Sequence, residues 1–98
     1  MVINKTLEQT RLCLAPVGRL DTITAPDLDK ELEISLDGVK ELIFDLKELS
    51  YISSAGLRVI LKAQKKMKGL GKMKITGANT VIMEVFEITG FADILTIE

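Results

Sequence analysis

Ninety-eight residues, 47% of them apolar and only two of them proline, suit one compact domain with its own core and leave no room for a second. Thirteen Lys and Arg against fourteen Asp and Glu give a formal charge of -1, so net charge makes no case for nucleic acid or an anionic membrane as partner. Histidine is absent, which removes a Ser-His-Asp hydrolase, a histidine phosphocarrier and a histidine-ligated zinc site by composition.

Val2 and Ile3 open the chain without the apolar stretch of a secretion signal. No run approaches the ~20 apolar residues needed to cross a bilayer, so a soluble cytoplasmic protein is expected. Arg11 to Leu20 reads as an edge hairpin ended by Pro16 and Gly18. Such an edge is open to self-pairing, although a monomer is the expectation. Cys13, the single cysteine, has no partner for an internal disulfide. Between Leu12 and Leu14 it reads as a small buried hydrophobe rather than a redox handle.

From Thr24, a cap-like residue, Pro26 in the first turn and Leu28, Leu32 and Leu36 at i, i+4 and i+8 predict a helix of about three turns closed by Asp37-Gly38. Glu41 to Leu46 is a short apolar run expected as the central strand, covered on both faces. The next helix follows Ser53-Ser54. It places Leu57, Ile60, Leu61, Ala63, Met67 and Leu70 on one side and Arg58, Lys62, Lys65 and Lys66 on the other, with Gly69 and Gly71 as its stop. Lys74 to Thr76 reads as a strand, Thr80 to Thr89 as a helix with Gly90 as its C-cap, and Ile94 to Ile97 as a last strand. The order predicts an α/β domain, a mixed and mostly parallel central sheet of four to five strands with helices packed on it.

Enzyme motifs fail residue by residue. A nucleophile elbow at Ser54 requires glycine where Ile52 stands, and S-x-x-K spacing from Ser53 or Ser54 meets Gly56 or Leu57 instead of lysine. Gly69-Leu70-Gly71-Lys72 is like the end of a phosphate-binding loop, but Lys66 takes the place of the first glycine and Met73 follows the lysine. Asp21 and Asp45 read as solvated turn residues rather than an acid/base pair. No catalyst is expected, and no metal or cofactor.

What remains is a hydroxyl at the point where a helix begins. A helix N-terminus offers unsatisfied N–H groups and a positive dipole end, so the fold tolerates an added phosphate that a partner would still meet. The pattern suggests a switch. The basic helix face is a solvated side, with Arg58, one turn from Ser54, as the exception placed to touch a phosphate or an acidic partner residue.

Three motifs in register carry a family resemblance: Asp45-Leu46 with Ser54, Gly56 and Leu57 in D-L-x7-S-x-G-L, Gly18-Arg19-Leu20-Asp21-Thr22, and Glu87-Ile88-Thr89-Gly90-Phe91. Over nearly its whole length the chain resembles the STAS family of bacterial anti-sigma factor antagonists in their stand-alone form. The resemblance implies one STAS domain over residues 1–98. It further implies that the unmodified protein binds an anti-sigma factor, itself a serine kinase of the ATPase type, and so frees a sigma factor. Phosphorylation reverses the binding, and a serine phosphatase restores it. By position the modified residue is Ser54, with Ser53 second because it stands where the family often has Asp; Ala55 stands where a second hydroxyl is common. The implied partner surface is Asp21, Thr22, Ser53, Ala55, Gly56, Leu57, Arg58 and Lys62. Two other functions use the same fold: a constitutive scaffold in a stress-signalling complex, and a small-ligand or nucleotide binder at the helix start.

Overall fold

Every second residue of three neighbouring strands is apolar and buried, and this alternation sets the architecture. In a computed structural model describing residues 1–98, the strands are β1 (Ile3–Glu8), β2 (Arg11–Pro16), β3 (Gly18–Leu20), β4 (Glu41–Asp45), β5 (Leu49–Ile52) and β6 (Lys72–Thr76). The helices are α1 (Ala25–Ser35), α2 (Ser54–Met67) and α3 (Thr80–Ile88), followed by a 3-10 turn at Phe91–Asp93. The main sheet runs β1-β2-β4-β6, with β1 antiparallel to β2 and the other pairs parallel, so it is mixed and mostly parallel as expected. β3 and β5 form a separate parallel pair.

One face of the main sheet presents Leu12, Leu14, Leu42, Phe44, Met73 and Ile75 to the helices. α1 contributes Leu28 and Leu32, α2 contributes Leu57, Val59, Ile60, Ala63 and Met67, and α3 contributes Ile82 and Phe86. The core holds 23 apolar residues and no buried polar or charged one, so its stability rests on apolar burial, about 1.5–3 kcal/mol for each large side chain.

Several local expectations are corrected. The hairpin is β1–β2, not a pairing within Arg11–Leu20, and β2 is interior while β1 takes the edge. After Pro16 the chain leaves the first sheet: the Val17 N–H bonds back to Val2 O, whereas the Gly18 N–H bonds to Glu48 O, 3.0 Å in each case. β4 is covered on one face only. Its other face carries Glu41, Ile43 and Asp45, and ion pairs Arg11–Glu41, Lys74–Glu41 and Lys74–Glu98 ladder across it. Cys13 therefore lies half-buried on this open face, its thiol pKa raised by burial and then by the Asp45 carboxylate.

The stretch between β4 and α2 contains β5, a strand not expected there, and the expected last strand reduces to a single bridge between Ile75 and Ile97. On α2, Val59 is buried, while Leu61 is only half-buried and Leu70 lies beyond the helix end in solvent. Thr24 occupies the N-cap position of α1, but its hydroxyl does not cap that helix; it donates to Arg19 O at 2.7 Å instead.

Candidate functional site

The β3–β5 pair exists to bring two distant segments together. Leu20 and Ile52, both fully buried, lie side by side, and the Ser53 N–H donates to Leu20 O at 2.9 Å. The Gly18–Thr22 turn is thereby joined directly to the start of α2. Ser53 is the extended N-cap of the helix, with φ -101° and ψ 177°, and Ser54 is its first residue. The first helical bond runs from the Leu57 N–H to Ser53 O at 3.0 Å.

The two hydroxyls have different environments. Ser53 does not cap α2 with its side chain, and its oxygen is buried without a hydrogen-bond partner. Ser54 is exposed, in the first turn, where N–H groups lack intrahelical acceptors and the helix end is positive.

Gly56 explains how the helix sits so close. A Cβ built there would lie 2.7 Å from Leu20 Cγ and 2.9 Å from Ile52 Cγ1. Glycine is required by contact, at a position where helix propensity alone would favour alanine. Of the expected partner residues, Gly56 and Leu57 are both buried, and they seat the helix against the core. Ala55 remains half-buried at the rim.

Asp21 organises the facing loop. Its Oδ1 accepts from the Ile23 N–H at 3.0 Å and the Thr24 N–H at 3.1 Å, while the Asp21 N–H donates to Thr24 Oγ1 at 2.9 Å. The Thr24 N–H bond is the main cause holding the Asp21 carboxyl below the usual range. A lowered carboxylate pKa adds stability that is fully present above the ordinary aspartate value of ~3.9 and lost as pH falls through the native one. Asp21 should thus remain mostly ionised where a free aspartate is half protonated. An NMR titration in which the Asp21 carboxyl and the Ile23 and Thr24 amides move together checks this.

The same loop holds Ile23 outward, 85% exposed beside Thr22, which is also exposed. Arg19 lies 4.3 Å over the Tyr51 ring and 3.8 Å from Asp21 Oδ2. Ile23, Arg19 and Tyr51 were not singled out from the sequence. The signal available for Ile23 was a large apolar residue between two threonines in a turn.

The cations of α2 separate in the same way. Arg58 is exposed and belongs to no ion pair. Lys62 is held against α1, 3.0 Å from Asp29 Oδ1 and 3.7 Å from Glu33 Oε1, and the Asp29 contact leads in raising its pKa. It links one helix to the other through exposed ion pairs. Asp45 accepts from the Lys47 N–H at 3.1 Å, as a turn residue does. No cluster of three or more Cys, Asp or Glu is placed to hold a metal ion.

The STAS domain family matches residues 2–98. The chain belongs to the STAS domain family. This STAS domain is 37% identical over 82 residues to BtrV of Bordetella bronchiseptica, whose name assigns it as an anti-sigma factor antagonist; the match covers 82% of the chain and 71% of BtrV. It is 36% identical over 85 residues to the anti-sigma-B factor antagonist of Listeria monocytogenes, covering 83% of the chain and 73% of that protein. In fold it is similar to the anti-sigma factor antagonist SpoIIAA, solved unphosphorylated with a TM-score of 0.86 and phosphorylated with 0.77. Both are 14% identical, and the likeness covers 99% of this chain and 88% and 91% of theirs. No helix of the domain is long and apolar enough to cross a membrane.

Proposed function

We propose that this STAS domain is an anti-sigma factor antagonist whose unmodified form binds an anti-sigma factor of the ATP-using serine kinase type, and that phosphorylation of Ser54 releases it. Release of the antagonist lets the anti-sigma factor recapture its sigma factor; a serine phosphatase resets the cycle. The observation that carries this reading is the uncommitted, exposed Ser54 hydroxyl at the first position of α2, beside a Ser53 oxygen that is buried. A kinase reaches Ser54 without disturbing the helix start, whereas Ser53 would have to be drawn out of the surface. The docking surface is Ser54 with Ala55 and Arg58 on one side and the Asp21-Thr22-Ile23 loop on the other.

The domain's own helix end favours a phosphate, since backbone N–H groups and the dipole attract an anion. The antagonism therefore lies across the interface. A group adding about -1.5 to -2 charge must be desolvated against a partner shaped for a neutral hydroxyl. Phosphosite mapping by mass spectrometry on protein from growing and stressed cells tests the cycle: phosphate on Ser54 that changes with condition is expected, and a Ser54 never modified would remove the switch.

Two substitutions examine the rest of the surface. Arg58→Glu should weaken the complex by about tenfold or more while stability stays within about 0.5 kcal/mol, because Arg58 makes no ion pair that folding needs. Ile23→Asp should cost the complex about 1–2 kcal/mol, as an exposed apolar anchor is lost, again with an unchanged melting temperature. Calorimetric affinities equal to wild type would remove each residue from the interface.

A further inference from the structure

Half of the large apolar side chains left in solvent belong to the turn after α2, to α3 and to the segment after it: Leu70, Val81, Ile88 and Ile94, with Ile88 85% exposed. On α3, Val81 and Ile88 are exposed two turns apart with Val85 half-buried between them, Glu84 beside them and Glu87 on the flank. Neither glutamate forms an ion pair. The outer face of α3 is thus apolar and acidic, with nothing to neutralise it.

The opposite chemistry lies next to it. A groove of about 870 Å³ opens between the C-terminal half of α2 and the start of β6, with Leu61, Met73 and Ile94 among its apolar lining and Lys65, Lys68 and Lys72 among its charges. These three lysines have no ion-pair partner, whereas Lys74 is neutralised by Glu41 and Glu98. Ile94 adjoins both surfaces, because it follows the 3-10 turn packed on α3 and also lines the groove.

We propose that this face joins two copies of the chain, the acidic apolar stripe of α3 on one copy seating in the lysine-lined groove of the other. The two surfaces match in sign and in apolar content and adjoin on one molecule. A two-fold axis therefore satisfies both contacts at once and closes the assembly at a dimer. Contiguous exposed apolar side chains beside uncompensated charges mark such interfaces. Lys65 lies 11 residues past Ser54, about 16 Å along the helix axis, which sets the lysine-lined groove apart from Ser54. This assembly differs from the expected monomer, and it holds whatever Ser54 does.

Sedimentation velocity of the wild-type chain, from low micromolar to several hundred micromolar, should show a monomer–dimer equilibrium. The variants Glu84→Lys/Glu87→Lys and Lys65→Glu/Lys68→Glu should each raise the dissociation constant by at least about tenfold with unchanged circular dichroism. Mixed in equal amounts, they should recover the dimer, since opposite charges then face each other at both contacts. Ile88→Ser, a single exposed change, should weaken the wild-type dimer by itself. A wild-type chain monomeric throughout, variants that dimerise like wild type, or a mixture that stays monomeric each overturns the proposal. So does a monomeric chain whose Met73 amide shifts on adding laurate, which would give the groove to an anionic amphiphile.

Discussion

Ser54→Asp should bind the anti-sigma factor about a hundred- to a thousand-fold more weakly than wild type, while Ser54→Ala should bind within about threefold of it. The difference corresponds to about 3–4 kcal/mol, the cost of desolvating a charge where the partner accommodates a neutral group. The aspartate carries less charge than a phosphate, so the phosphorylated protein should fall at least as far. Folding should move the other way. A carboxylate in the first turn of α2 faces the positive helix end and adds about 0.3–1 kcal/mol, so the melting temperature of Ser54→Asp should not drop. Calorimetric titration beside a thermal melt separates the two effects, and equal affinities for the Asp and Ala variants would end the switch reading.

Gly56→Ala should destabilise the domain by about 1–3 kcal/mol, lowering the melting temperature by about 4–8 °C for each kcal/mol. The sign is the informative part, because alanine in place of glycine within a helix ordinarily adds about 0.5–1 kcal/mol. Here the new methyl would stand 2.7 Å from Leu20 Cγ, in a core where Leu20 is fully buried and has nowhere to retreat. Leu20 also supplies the carbonyl that holds the Ser53 N–H, so displacing it shifts the start of α2 and binding should weaken as well. Leu20→Ala, destabilising alone, should lower the cost of Gly56→Ala while the Ile52 Cγ1 contact at 2.9 Å keeps part of it, a coupling that a double-mutant cycle reads directly. A Gly56→Ala protein as stable as wild type would show that the contact relaxes without cost.

Legibility in the sequence followed how regular each signal was. α1, α2 and α3 were readable because their apolar residues repeat at helical spacing over nine residues or more. β4 was readable as an apolar run, and β6 in part, over Lys74 to Thr76. β1 was missed beyond Ile3, since as an edge strand it exposes Asn4, Lys5 and Thr6 and shows no apolar alternation. β5 was missed for a different reason: it spans four residues and buries its two ends, Leu49 and Ile52, three positions apart, which breaks the strand period of two.

The site divided along the same lines. Ser54, Arg58 and the Asp21-Thr22 turn could be placed from local sequence, because helix starts and turns announce themselves. Gly56 and Leu57 could not be sorted inward, nor Lys62 tied to Asp29 across 33 positions, because tertiary packing decides both. Ile23 escaped notice since nothing in a turn sequence says whether its apolar residue folds in; three hydrogen bonds to one carboxylate oxygen hold this loop in place.

The alternation along β3, β5 and the first turn of α2 has a consequence for relatives that share a cell. Leu20, Ile52 and Gly56 interlock beneath the surface, whereas Arg19, Tyr51, Ser54 and Arg58 sit above it and Ile23 stands free on its loop. The residues that maintain the fold and those proposed to meet a partner are therefore different side chains on the same short segments. The outer set can diverge without loss of folding, so a duplicated copy can acquire a private partner in a few substitutions, and parallel signalling lines built on one scaffold can stay insulated from crosstalk.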